Sequence, residues 1–313
     1  MRARMRQVMR GAACVVARVA VMALAIGAGV AATSARAAAQ APTAAATDTL
    51  YEVRMRDGSV LYGRVVEQTA ERVVLVTPAG VRMELPRAQV ESMRVAQGRA
   101  VDGAYWVADP NATRLFFTST ARPLRKGEGY VSSFMLFVPL VAYGVTDRFT
   151  IAGGTPILPE AIGRTWYAAP KYTVMEREKS AFAIGALGLL LPSDIDEGSL
   201  GIVYGAGTWG SRDRAITAGA GWGYRWLSAD GAELANDPVI MIGGETRVSR
   251  RIKLITENWF FTGAGGDGLV TGGVRFIGDR LSADLGLGGA TGADGSGCCL
   301  PLVNFVWNFG RAK

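Results

Sequence analysis

At 313 residues, 49% of them hydrophobic and 19% charged, the chain has room for one β domain of roughly 200 residues and a small second one. It has no histidine and three cysteines, which excludes Ser-His hydrolases, His-ligated catalytic zinc and cysteine metal clusters. The formal charge of +7 belongs to the leader: residues 1–47 hold Arg2, Arg4, Arg6, Arg10, Arg18 and Arg36 and no acid, leaving 28 basic against 27 acidic residues, so the charge gives no argument for a nucleic-acid partner.

The Arg-rich start is followed by an apolar run from Val19 to Ala32 and by Ser34-Ala35-Arg36-Ala37, an A-x-A cleavage pattern. Residues 1–37 therefore read as a secretory signal peptide, the apolar run being too short for a spanning helix of about 20 residues. Cys14 precedes that run and is not placed to carry a lipid. Residues 38–48, rich in Ala, Thr and Pro, read as a disordered tether.

Five short β segments follow within residues 49–96: Leu50 to Arg56, Val60 to Val66, Val73 to Thr77, Val81 to Leu85 and Val90 to Val95, with turns at Asp57-Gly58 and Pro78-Ala79-Gly80. Such a run predicts a small closed β-barrel. Asp57-Gly58-Ser59, Gly63, Val73-Val74-Leu75-Val76-Thr77, Pro86 and Val90 together resemble the Sm-like and SH3-like small barrels. Sm-like domains often bind RNA, but acidic and basic residues are nearly balanced here, and Tyr51 and Tyr62 offer little stacking surface for bases. A periplasmic module that packs or binds a protein partner is the better expectation. Residues 97–112, with Gly98, Gly103, Asp109-Pro110 and Asn111, read as a linker.

From residue 113 the pattern changes to segments of about ten residues in which apolar and small or polar residues alternate. Ile216, Ala218, Ala220, Trp222, Tyr224 and Trp226 share one face of such a segment, and Thr217, Gly219, Gly221, Gly223 and Arg225 share the other. Aromatic ends on the apolar face suit the girdle of a membrane barrel. Segments at 113–121, 130–143, 148–157, 165–177, 180–191, 199–209, 213–227, 238–248, 251–262, 268–277, 280–289 and 300–309 give about twelve strands. Short connections such as 145–148, 177–179, 210–212, 249–251 and 278–279 alternate with longer ones at 121–129, 158–164, 192–198, 228–237, 263–267 and 290–299, as periplasmic turns and outer loops do. The fold class is thus all-β: a transmembrane, antiparallel, up-and-down β-barrel over residues 113–313, preceded by a small five-stranded β-barrel module.

The hairpin Tyr143-Gly144-Val145-Thr146-Asp147-Arg148-Phe149 resembles one that recurs in porin-like bacterial outer-membrane proteins. Val303, Phe305, Trp307 and Phe309 are similar to the aromatic last strand by which such barrels are recognised for insertion, although Gly310-Arg311-Ala312-Lys313 trail it. The resemblance implies an outer-membrane location, a lipid bilayer and the barrel-assembly machinery as partners, and passive passage of small solutes.

With the apolar face toward lipid, charged residues fall inside, and Lys171, Arg225, Glu245, Arg247, Lys253, Glu257, Arg275 and Asp284 are the candidate lumen-lining residues. A two-residue turn at Gly278-Asp279 would set Arg275 beside Ser282, with Asp284 a diagonal neighbour. Such charges could form a selective constriction or a salt-bridged, filled lumen. The alternative to a porin is therefore a closed structural barrel that anchors the N-terminal module. Neither an enzyme nor a cofactor is implied. Gly205 to Gly210 and Gly263 to Gly268 match G-x-G-x-x-G, but strands follow both, not helices. Adjacent Cys298 and Cys299 lie closer than the usual disulfide spacing and read as unpaired.

Overall fold

The computed structural model describes residues 49–159, 161–191, 198–227, 231–263, 267–292 and 297–310. The expected signal peptide, its cleavage site, the tether, Cys14 and the 192–197 loop lie outside the described residues. The chain divides into two compact units, the second beginning at Pro110.

The first unit is an antiparallel sheet of β1 (Tyr51–Met55), β2 (Val60–Gln68), β3 (Arg72–Val76), β4 (Arg82–Pro86) and β5 (Val90–Val95), in the order β4-β3-β2-β1-β5. Its core is Val53, Met55, Val73, Leu75, Leu85 and Val90. Asp57 in the first turn accepts hydrogen bonds from the Ser59 hydroxyl and N–H, which hold its carboxyl below the usual range. The five strands expected from the sequence are all present. They form a sheet whose edges are β4 and β5, and since these two do not pair, the expected closed barrel is an open sheet here; the short 3-10 turn Arg87–Gln89 leads from β4 to β5, which pairs with β1.

The expected linker also contains structure. Strands β6 (Gly98–Val101) and β7 (Ala104–Val107) form a hairpin on Asp102-Gly103, both with positive φ (48° and 75°). Two successive left-handed residues make the tight turn whose twist suits paired strands, and Asp-Gly supplies it at little cost. Tyr105 of this hairpin stacks on Tyr62 with ring centroids 3.9 Å apart.

The second unit is a closed antiparallel barrel. Its strands are β8 (Gly129–Phe134), β9 (Val138–Gly144), β10 (Phe149–Gly154), β11 (Trp166–Ala168), β12 (Lys171–Arg177), β13 (Ser180–Leu191), β14 (Gly198–Gly210), β15 (Arg214–Leu227), β16 (Gly231–Ser249), β17 (Ile252–Phe261), β18 (Gly268–Ile277), β19 (Leu281–Thr291) and β20 (Gly297–Phe309). Both β11 and β12 lie between β10 and β13, separated at Ala169-Pro170, where proline lacks the N–H a ladder needs. They count as one interrupted strand, so twelve close the barrel through the β8–β20 and β9–β10 pairings.

Two departures from the expected strands offset one another. Residues 130–143 are two strands, β8 and β9, joined by Met135-Leu136-Phe137 with φ of 52° at Met135 and 65° at Leu136. No glycine or asparagine marks this turn, so an apolar run conceals it. Residues 113–121 are not a strand of the wall at all. In addition, the pairing of β18 with β19 sets Asp284 directly opposite Arg275, two residues from the expected register, because the turn spans Gly278 to Leu281.

Strand alternation sorts the two faces of the wall. On β14 and β15, Thr208 faces Thr217, both buried, while the adjacent Ile216 is 60% exposed. Exposed apolar side chains lie all round the outer face of the barrel, among them Val141, Ile151, Val174, Ile242, Leu254, Val270, Phe276, Leu285 and Phe305.

Candidate functional site: the filled lumen

Residues 110–128 run inside the barrel as a folded hairpin before β8 begins. The turn is closed by Leu115 N–H to Thr118 O at 2.9 Å and Thr120 N–H to Thr113 O at 2.9 Å. Adjacent Leu115 and Phe116 are both buried. A wall strand would turn one of the two outward, since successive side chains point to opposite faces, and this is why the segment fills the lumen instead. The chain enters beside Ser282, where Asn111 donates to the hydroxyl at 2.7 Å, and it leaves beside Asp147, which accepts from Lys126 N–H at 3.1 Å. Both points lie at the short-turn end.

Four clusters on the wall hold this hairpin. In the first, Asp284 accepts from Arg275 Nε at 2.7 Å and from Arg114 Nη1 at 2.8 Å. Arg275 also donates to the carbonyls of Asn111 at 3.0 Å and Leu115 at 2.7 Å, and Asn304 Nδ2 donates to Phe116 O at 3.3 Å. In the second, the Glu257 carboxylate receives Phe117 N–H at 2.9 Å, Thr118 N–H at 3.2 Å and Trp259 Nε1 at 2.9 Å. In the third, Glu245 bridges Lys253 and Arg122, each at 2.9 Å. In the fourth, Lys171 Nζ donates to the carbonyls of Thr120 and Arg122, both at 2.7 Å. Beside it Thr173 donates to Ala121 O, and Thr208 accepts from Ala121 N–H, each at 2.9 Å.

These clusters share one purpose. A chain inside a barrel has no ladder partner, and each buried N–H or C=O left without one costs free energy. The wall supplies side chains in place of a neighbouring strand. Glycines supply the space: a Cβ on Gly243 would lie 2.3 Å from Leu115 Cδ1, and one on Gly286 would lie 3.0 Å from Phe116 Cζ. Leu115 and Phe116 then pack with Met241, Ile255 and Leu302.

Toward the long-loop end the inner face changes character. A cavity of about 470 Å³ opens above the hairpin, lined mainly by aliphatic and aromatic side chains, with Phe116, Arg114 and Asn304 contributed from below.

No family model matches the chain, and no curated protein matches it. Among solved structures it is similar to OmpT, an outer membrane protein of Vibrio cholerae. The loop L8 deletion mutant of that protein is 14% identical with a TM-score of 0.37, covering 83% of this chain and 96% of the other. In-vitro folded OmpT is 10% identical with a TM-score of 0.36, covering 83% and 95%.

The structure places Lys171, Glu245, Lys253, Glu257, Arg275 and Asp284 inside the barrel, each less than 5% exposed. The Arg247 side chain is also buried and pairs with Asp213 at 3.0 Å. Arg225 is not with them. It has the inward parity of β15 but sits near the long-loop end of that strand, 60% exposed, paired with Glu233 at 3.1 Å. Sequence reasoning missed Asn111, Arg114 and Arg122, because it gave their segment to the wall and its flanks. The signal for them was Leu115-Phe116-Phe117, three apolar residues in a row where alternation should hold. Cys299 is disulfide-bonded, with φ of 76°. An unpaired thiol was expected from the sequence, and the structure corrects this.

Proposed function

We propose that this is a bacterial outer-membrane protein whose barrel is a closed membrane anchor for the N-terminal module, rather than a porin for small hydrophilic solutes. The observation that carries this is the hairpin of residues 110–128, which wall side chains including Lys171, Thr173, Thr208, Glu245, Glu257, Arg275 and Asp284 engage by direct hydrogen bonds. Charges that would select ions in an open pore are committed to the backbone and side chains of this segment. The exposed apolar outer face supports a bilayer as surroundings, since soluble monomers rarely expose apolar patches beyond a few hundred Å², and closure leaves no unpaired edge in lipid. The N-terminal module is read as periplasmic, where a protein partner is what its near-neutral composition favours. Insertion would use the barrel-assembly machinery. The role is structural and binding, without catalysis.

Two measurements test this. Unheated and boiled samples should migrate differently on an SDS gel, as a closed barrel resists detergent. Folded protein in a planar bilayer should give no conductance steps, whereas deletion of residues 111–124 should produce them. Reproducible steps from the intact, folded chain would overturn the closed reading.

A further inference from the structure

The cavity above the hairpin is unlike the rest of the lumen. Its volume of about 470 Å³ falls within the roughly 300–1,000 Å³ usual for small-molecule sites, which are mostly apolar with a few placed polar groups. Leu140, Leu187, Leu189, Ile202, Val239 and Met241 form much of its wall. No hydrophilic solute gains from such a surface, and an aliphatic chain does.

The polar groups at its base favour a particular head group. Arg114 is 2% exposed and gives Nη1 to Asp284 and to two carbonyls of its own hairpin. Its Nε and Nη2, which form the other edge of the guanidinium, have no hydrogen-bond partner among the described residues, and neither does Asn304 Oδ1. That edge is a two-pronged donor whose geometry matches a carboxylate. Arg114 and Arg275 both pair with the carboxylate of Asp284.

We propose that the cavity binds a single linear alkyl carboxylate, with its head group at the free edge of Arg114 and its hydrocarbon chain extending along the apolar wall toward the long-loop end. An uncharged alkane would leave Arg114 as it is. A carboxylate satisfies both remaining donors of Arg114. The proposal rests on the hairpin forming the floor, so the same preparation should also be tested for conductance: ion passage would remove the floor, whereas absence of binding in a closed barrel would remove only the ligand.

The test is calorimetric titration of the full chain in phospholipid nanodiscs with dodecanoate, decanoate and dodecanol, against empty nanodiscs. Saturable binding of one dodecanoate per barrel is expected. Removing two methylenes should weaken it about fifteenfold, since each buried methylene contributes about fourfold in affinity. Dodecanol should bind at least about tenfold more weakly, the loss of a hydrogen bond to a charged group, and Arg114→Gln should bring dodecanoate down to the level of dodecanol. Val239→Trp, which fills the cavity while leaving the floor intact, should abolish binding in a protein that still shows the heat-dependent gel shift. Uptake equal to that of empty nanodiscs, or undiminished in Val239→Trp, would overturn the site. Equal affinity for dodecanoate and dodecanol on the unaltered chain would overturn the assignment of the head group, even if Arg114→Gln does not fold.

Discussion

The two halves of the barrel interior differ in chemistry. On β18 and β19 the short-turn half presents Arg275 and Asp284, while on β13 and β14 the long-loop half presents Leu187, Leu189 and Ile202. The difference follows from what each half faces. The short-turn half faces irregular main chain, whose carbonyls at Asn111, Leu115, Phe116, Thr120 and Arg122 and N–H groups at Phe117, Thr118 and Ala121 all take wall side chains. The long-loop half faces a cavity and carries no such obligation. Charge inside a barrel is thus not in itself a sign of an ion path. It can equally be the counterpart of buried backbone.

Substitutions that attack one half should therefore be felt as stability. The largest loss is expected for Asp284→Ala, which leaves Arg114 and Arg275 buried without their carboxylate, an effect of about 3–5 kcal/mol for breaking a buried pair. Denaturant titration in lipid vesicles, followed by the gel shift, would measure it, and a loss below about 1 kcal/mol would show that solvent reaches the pair. Glu257→Gln keeps the shape and removes the charge behind its bonds to Phe117 and Thr118, for about 1.5–3 kcal/mol. Protease access to residues 110–128 should rise with it, and unchanged protection would mean that these bonds do not hold the hairpin.

Smaller effects sharpen the comparison. Thr208→Val removes one neutral acceptor from Ala121 N–H and should cost about 0.5–1.5 kcal/mol in the same titration. Arg225→Ala should change stability by less than about 1 kcal/mol, as exposed pairs do. A larger effect there would place Arg225 with the buried network after all.

Much of this was legible in the sequence because strand alternation is strict wherever one face meets lipid. The outward series around Ile216, the twelve-strand count and the inward placement of Arg275, Asp284, Lys253 and Glu257 all come from period two. The count was reached through two offsetting errors, each with a physical cause. A turn of Met135-Leu136-Phe137 carries no turn chemistry, so β8 and β9 read as one strand. The lumen hairpin is short and apolar at its tip, so it reads as a strand until the adjacency of Leu115 and Phe116 is noticed. The apolar cavity was not legible at all. Its residues alternate as wall residues should, and only closure of the barrel shows that Leu187, Ile202 and Val239 face one another across a space.

The hairpin precedes β8 in the chain, and β8 pairs with β20, the last strand. Residues 110–128 are therefore made before the final seam exists, and their contents need no entry route through a finished wall. The barrel can wrap round a segment already in its place, as a stave vessel is hooped about what it holds. Once β20 docks on β8, removing that segment requires either drawing it out past Asp147 and Ser282 or reopening the seam.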